Sequence, residues 1–213
     1  MSVTSKTRAA SAQITSSQPQ RWRWYHGVAF YIIMQVLTFG LAGLTSKLRG
    51  SEVKNMRDLF GDVPYFKKLK QSVITPPSWV FGPAWTINNI SIIYGNLRVL
   101  NMPKDAPGRD TYLALQATSW LNFVVFSAAY FSLRSPINAF FLSVNMFFLT
   151  LASVFVSIFR LKDTKVALSL ATLTIWLTIA STAATFQALW NRDDLYKVGP
   201  FAKPNPILAR DAR

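Results

Sequence analysis

The sequence contains no cysteine, a single histidine (His26) and only nine acidic residues, against 23 basic ones. Without cysteine, the chain cannot form disulfides, iron–sulfur clusters or thiolate metal sites. Charged residues make up 15% of the chain, whereas soluble domains average about 25%. The net charge of +14 is spread over short loops and tails. This dispersion favours contact with anionic lipids at a membrane surface over nucleic-acid binding.

Hydrophobic residues make up 51% of the chain and fall into five blocks of about 20 residues, the length that crosses a hydrocarbon core as a helix. A soluble helical protein would carry polar faces on these segments, and most of that polarity is missing. The sequence therefore predicts an all-α membrane protein, a bundle of five transmembrane helices. The predicted spans lie near Tyr25–Thr45, Trp79–Leu100, Tyr112–Leu133, Pro136–Phe159 and Lys165–Trp190.

The middle of each predicted span lacks Asp, Glu, Lys and His. Because a charge at mid-membrane is costly and is kept mainly for function, this argues against a proton pump, an ion-coupled transporter or a histidine-ligated haem site. His26 lies at a predicted interface and is interpreted as an anchor. The polar side chains within the spans are expected to form hydrogen bonds between helices. They are Gln35, Asn88, Asn89, Gln116, Asn122, Asn145 and Gln187.

Acidic residues are also missing from the first 51 positions. The first acidic residue in the chain is Glu52. Residues 1–24 are basic and rich in Ser, Thr, Ala and Gln, a composition typical of a mitochondrial targeting segment, although a plain disordered basic tail fits as well. Residues 25–190 form the predicted membrane domain, and residues 191–213 a polar, proline-containing tail that we expect to be extended. The expected location is the mitochondrial inner membrane, with a bacterial or photosynthetic membrane as the alternative.

The most distinctive segment runs from Pro76 to Thr86, with the sequence PPSWVFGPAWT. Proline costs little near a helix start, because the first N–H groups of a helix have no partner within it. Tryptophan favours the boundary between lipid and water. The segment therefore predicts a rigid loop-to-helix corner at the start of the second span.

This segment resembles the second-helix start of the TspO, or translocator protein, family, whose pattern is W-Y-x-x-L-x-K-P-x-W-x-P-P-x-W-x-F-G-P-x-W-T. The chain matches it without a gap at Tyr65-Phe66, Leu69, Pro76-Pro77, Trp79, Phe81-Gly82-Pro83 and Trp85-Thr86. A second stretch, Phe126 to Pro136, is similar to W-S-x-x-F-F-G-L-R-R-P. The resemblance implies a five-helix bundle over about residues 28–194, with a long first loop and a short turn between the third and fourth helices.

Family pockets bind tetrapyrroles, sterols and synthetic ligands, so the resemblance implies a pocket here lined by Trp79, Phe81, Trp85, Asn89 and Trp176. Several family positions differ in this chain. The family's Lys-Pro is Gln71-Ser72, and the tyrosine that follows the helix-2 W-T is Asn89. The scaffold is thus retained while much of the expected pocket chemistry is replaced.

Two functional hypotheses follow. In the first, the chain is a non-catalytic accessory subunit of a large membrane complex, such as a mitochondrial respiratory supercomplex. It would contact other subunits through both tails and the 46–78 loop, since segments that order on binding can clamp neighbours. In the second, it is a sensor or carrier of a tetrapyrrole, sterol or lipid. Cardiolipin and a tetrapyrrole are the candidate bound molecules, membrane lipids are expected partners, and nucleic acid is not. No nucleophile–base set or metal cluster is visible, so no enzymatic activity is expected.

Overall fold

The computed structural model of the chain describes residues 21–49 and 63–210, and most of this part is helical. Residues 1–20 of the predicted N-terminal tail and residues 50–62 of the first loop lie outside the described residues, so the predictions made for them stay predictions. The elements are α1 (Trp24–Leu48), α2 (Val63–Lys68), β1 (Gln71–Ser72), α3 (Ser78–Leu100), α4 (Arg109–Ser127), a π-helical turn (Ala128–Ser132), α5 (Pro136–Phe159), α6 (Thr164–Ser169), α7 (Ala171–Trp190) and β2 (Ala209–Arg210).

Three helical segments are long and apolar enough to cross a membrane: Trp24–Leu48, Pro136–Phe159 and the consecutive helices α6 and α7 over Thr164–Trp190. They confirm three of the five predicted spans. The other two correspond to α3 and to α4 with its π-helical turn. Because these helices contain more polar residues, their membrane-spanning role stays a prediction.

The surface of α1 shows the polarity expected of a helix in lipid. Ile32, Val36 and Leu44 are each more than half exposed, whereas Thr38 and Ala42 are buried. A surface helix of a soluble protein has the reverse arrangement, with large apolar side chains inside. Small and hydroxyl-bearing residues between helices and large apolar residues outside are typical of membrane bundles. The chain is therefore an integral membrane protein.

Local signals start the helices that frame the interior. The Ser135 hydroxyl accepts a hydrogen bond from a backbone N–H in the first turn of α5, and Pro136 occupies the first helical position, where a missing N–H costs nothing. Asp163 caps α6 by accepting from two backbone N–H groups. α3 begins directly after Pro77, as the PPSW segment predicts. The short turn predicted at Arg134 to Pro136 is present between the π-helical turn and α5.

The long helices pack around a common interior. α5 lies against both α4 and α7, while α1 packs on α4 and the π-helical turn. α3 contacts α6 at one end and α1, α4 and α7 along its length. The first loop, through β1, lies against α7. This arrangement surrounds the interior with α1, α3, α4, α5 and α7.

The C-terminal tail folds back onto the first loop of the same chain. β1 and β2 pair in antiparallel fashion, with Gln71 opposite Arg210. The Asn191 side chain accepts from the Lys70 N–H at 2.7 Å and donates to the Lys70 carbonyl at 3.1 Å. The Arg210 guanidinium donates to the Thr75 carbonyl at 2.9 Å. The sequence predicts an extended tail. In the structure the tail also contains tight turns and this two-residue strand, and the strand attaches it to the loop before α3.

Candidate ligand-binding cavity

A cavity of about 510 Å³ lies between the helices. α1, α3, α4, α5 and α7 all contribute to its wall, together with the π-helical turn and the loop that precedes α3. Aromatic side chains dominate this wall. They are Tyr31, Phe39, Phe66, Trp79, Phe81, Trp85, Phe123, Phe126, Tyr130, Phe131 and Trp176.

Five of these rings form a continuous edge-to-face chain. Trp176 of α7 is at its centre, with ring centroids 5.3 Å from Phe81 and 6.5 Å from Trp85. Phe66 extends the chain from Phe81 at 5.5 Å, and Phe123 extends it from Trp85 at 5.3 Å. Interplanar angles of 61–88° match the T-shaped geometry that aromatic quadrupoles favour. The ring contacts thus join four helices around the cavity: α2, α3, α4 and α7.

One polar network closes the cavity on the side of the first loop. The Tyr130 hydroxyl donates to Gln187 Oε1 at 2.7 Å, and Gln187 Nε2 donates to Gln71 Oε1 at 2.6 Å. Gln71 Nε2 in turn donates to the Phe66 carbonyl at 2.6 Å. Gln71 stands where the family pattern has its lysine. The position that carries a charge in that pattern is here a neutral amide that joins the first loop to α7.

Some of the other polar groups of the wall form hydrogen bonds within their own helices. The Thr38 hydroxyl donates to the Met34 carbonyl, and the Thr86 hydroxyl donates to the Gly82 carbonyl. Gln35 Nε2 donates to the Tyr31 hydroxyl at 2.6 Å, while Gln35 Oε1 has no partner among the described residues. No Asp, Glu, Lys, Arg or His occurs among the described residues that line the cavity. The wall therefore offers a ligand aromatic faces and few hydrogen-bonding groups.

Four of the five predicted ligand positions line the cavity: Trp79, Phe81, Trp85 and Trp176. Trp79 lies at the rim with 74% of its surface exposed, whereas Trp176 is 7% exposed. Asn89 is not among the lining residues, because the cavity reaches along α3 only to Thr86. Asn89 is instead buried further along α3, where its Nδ2 has no hydrogen-bond partner among the described residues.

Several lining residues were not among the predicted ligand positions. Phe123, Phe126 and Tyr130 recur three and four residues apart along α4 and the π-helical turn. That spacing places them on one helix face and is the signal by which they are detectable. Gln35 and Gln187 carry a different signal, a polar side chain within an apolar span. No local pattern in the sequence indicates that Gln71 belongs to the network, since its partner Gln187 is 116 positions away.

A model of the TspO/MBR family matches residues 32–190, well over half of the chain. The chain belongs to the TspO/MBR family. The matched range contains every residue that lines the cavity except Tyr31, and it confirms the resemblance recognised at Pro76 to Thr86. The comparison with curated proteins finds no match.

Family membership gives the fold a common origin but does not by itself carry a function to this chain. The features that bear on function are those of the cavity. Its aromatic chain is continuous, with Trp176 in ring contact with both Phe81 and Trp85. Its polar end is neutral, with Gln71 and Gln187 bonded to each other. The arrangement is suited to holding an apolar molecule.

Proposed function

We propose that this chain is a bundle of five transmembrane helices that binds an uncharged, apolar, ring-containing small molecule of the sterol or porphyrin type. The single observation that carries the proposal is the cavity of about 510 Å³ with its aromatic wall. This volume falls within the roughly 300–1,000 Å³ of sites that enclose drug-sized ligands. Flat ligands gain from edge and face contacts with rings such as Trp85 and Trp176.

The preference for an uncharged ligand follows from the wall. The described lining residues contain no cation to pair with a carboxylate, and burying an unpaired charge is costly. Gln71, at the family's lysine position, is already bonded to Gln187 and to the Phe66 carbonyl. Binding rather than catalysis is proposed, because the described wall contains no nucleophile with an adjacent base.

Removal of an indole from the centre of the ring chain is expected to weaken binding. For Trp85→Leu and Trp176→Leu, we expect a dissociation constant about tenfold higher, equivalent to about 1.4 kcal/mol. The measurement is saturable quenching of tryptophan fluorescence by protoporphyrin dimethyl ester in detergent micelles. Trp24→Leu is the matched control, since Trp24 is 74% exposed and lies outside the cavity.

The same titration tests the charge preference. Free protoporphyrin carries two carboxylates and is expected to bind several-fold more weakly than its dimethyl ester. Absence of saturable binding for porphyrins and for a sterol would contradict the proposed function. If Trp24→Leu and Trp176→Leu change the dissociation constant equally, the cavity is not the binding site. Tighter binding of the diacid would contradict only the preference for an uncharged ligand.

A second candidate is the accessory subunit of a membrane complex in the mitochondrial inner membrane. The observation that favours it is the basic sequence of the first 51 residues, which contains no acidic residue. Residues 1–20 of this segment lie outside the described residues. The C-terminal tail supports it less, because in the described part of the chain this tail bonds to its own first loop at Lys70 and Thr75. Native electrophoresis of the tagged chain in mild detergent tests this role. Migration as the 24.0 kDa chain or as a homodimer would contradict it.

A further inference from the structure

Gln35 lies near the middle of α1, one of the three helical segments long and apolar enough to cross a membrane. A carboxamide at this depth is costly unless its groups are bonded, because hydrocarbon chains offer no hydrogen-bond partner. The sequence predicts that such amides join one helix to another. Gln116 and Asn122 do so, since each donates to α5, at 2.9 Å and 3.1 Å. Gln35 instead donates to Tyr31 of its own helix, so its described bond does not join two helices.

The bond between Gln35 and Tyr31 leaves one acceptor and one donor unused among the described residues. Gln35 Nε2 is the donor at 2.6 Å, so Gln35 Oε1 can still accept a hydrogen bond. The Tyr31 hydroxyl oxygen is the acceptor, so its own hydrogen can still be donated. Both side chains line the cavity, and both residues are half-buried. The pair therefore presents a donor and an acceptor at one place on a mainly aromatic wall.

The other tyrosine and the other amide among the described lining residues are already bonded to the protein. The Tyr130 hydroxyl donates to Gln187 Oε1 at 2.7 Å, and Gln187 Nε2 donates to Gln71 Oε1 at 2.6 Å. These bonds join the π-helical turn, α7 and the first loop, so breaking them would loosen the wall. Tyr31 and Gln35 can bind a ligand without breaking the bond between them.

We propose that Tyr31 and Gln35 form the polar subsite of the cavity and bind a neutral hydroxyl group of the ligand. A hydroxyl group can donate its hydrogen to Gln35 Oε1, while its oxygen accepts from the Tyr31 hydroxyl. A carboxylate or ester oxygen has no hydrogen to donate, and an ammonium group has no lone pair with which to accept. The inference rests on the proposed function and narrows the ligand to an apolar, ring-containing alcohol.

Two probes that differ by one oxygen atom test the subsite. Pyrenemethanol and methylpyrene, substituted at the same ring position, share a flat aromatic frame. Saturable quenching of tryptophan fluorescence gives the dissociation constant of each probe from the full chain in detergent micelles, expressed as a mole fraction within the micelle. We expect the alcohol to bind about 2- to 10-fold more tightly than the hydrocarbon, because a neutral hydrogen bond makes a contribution of that order.

Variants of the subsite are expected to lose this preference. With Gln35→Leu, the alcohol should bind no more tightly than the hydrocarbon, whose own binding changes little. Tyr31→Phe removes the donor and should reduce the preference, because Gln35 Oε1 remains as an acceptor. Asn145→Leu is the matched control. It also removes a carboxamide from a membrane span, but Asn145 is exposed on α5 and lies outside the cavity, so the preference should persist.

The outcomes separate this inference from the proposed function. If both probes bind the unaltered chain equally, or if the preference survives in Gln35→Leu, the hydroxyl subsite is wrong while the cavity remains a binding site. A preference lost equally in Asn145→Leu would also overturn the subsite. If neither probe binds and porphyrin dimethyl ester does not bind either, the proposed function fails and this inference fails with it.

Discussion

Asp193→Ala is expected to lower the free energy of unfolding by about 3–5 kcal/mol. Asp193 is 1% exposed, and its carboxylate accepts four hydrogen bonds. Oδ2 accepts from the Ser135 hydroxyl at 2.6 Å and the Ile137 N–H at 3.1 Å. Oδ1 accepts from the N–H groups of Leu195 and Tyr196, both at 2.9 Å. One side chain therefore joins the start of α5 to the C-terminal tail.

The magnitude follows from the donors that alanine would leave without a partner. Each buried, unsatisfied donor costs about 1–3 kcal/mol, and the negative charge at the start of α5 is itself favourable there. Unfolding in mixed micelles, followed by tryptophan fluorescence, gives the free energy. Asp194→Ala is the matched control, because the backbone N–H of Asp194 donates to the Arg134 carbonyl at 3.2 Å and alanine retains that bond. Equal losses for the two variants would contradict the capping role of Asp193.

Gly95→Leu is expected to lower the free energy of unfolding by about 3 kcal/mol. Gly95 is buried where α3 crosses α6. A Cβ placed there would lie 2.1 Å from Ser169 Oγ and 3.3 Å from the Tyr112 hydroxyl oxygen. The helices are also tied at this crossing by the Ser91 hydroxyl, which donates to the Ser169 carbonyl at 2.8 Å. Leucine would separate α3 from α6, and such overpacking costs about 1–3 kcal/mol.

Gly40→Leu is the matched control for this prediction. Gly40 lies within α1, and a Cβ built there meets nothing within 4 Å among the described residues. Replacing an exposed helical glycine with a better helix former stabilises by up to about 1 kcal/mol. The same mixed-micelle unfolding experiment compares the two variants. If both are as stable as the unaltered chain, the close crossing of α3 and α6 is not required for the fold.

The main course of the fold could be predicted from local patterns in the sequence. Apolar blocks of about 20 residues located the long helices, and the turn at Arg134 to Pro136 was visible because proline starts a helix readily. Apolar length confirms three of the predicted membrane spans. It does not confirm the spans predicted at α3 and α4. Asn88, Asn89 and Gln116 lower the hydropathy of these helices, although all three are buried.

The candidate site was predictable only where one motif carried it. The segment from Pro76 to Thr86 supplies Trp79, Phe81 and Trp85 to the cavity, because all three lie on the first turns of α3. Asn89 continues the same four-residue spacing but lies beyond the end of the cavity. Spacing identifies a helix face, whereas the depth of a cavity depends on which other helices meet there. The depth of the cavity is set by tertiary packing, and no local pattern in the sequence indicates it.

Contacts between distant segments could not be predicted from the sequence. The pairing of Gln71 with Arg210 and the bond between Gln71 and Gln187 join positions more than 100 residues apart. A two-residue strand has too few residues to show a period. The tail was expected to be extended because of its polar, proline-containing composition, and its attachment to the loop beside the cavity emerged only from the structure.

The central claim is that the cavity holds the ligand, and a blocked cavity tests it most directly. Ala180 lines the wall on α7, and Ala180→Trp would fill part of the volume. Ile175→Trp is the matched control on the same helix, because Ile175 is 65% exposed and outside the cavity. The measurement is the dissociation constant of protoporphyrin dimethyl ester, followed by porphyrin absorbance. The account predicts at least about tenfold weaker binding for Ala180→Trp and unchanged binding for Ile175→Trp, whereas unchanged binding for Ala180→Trp would contradict it.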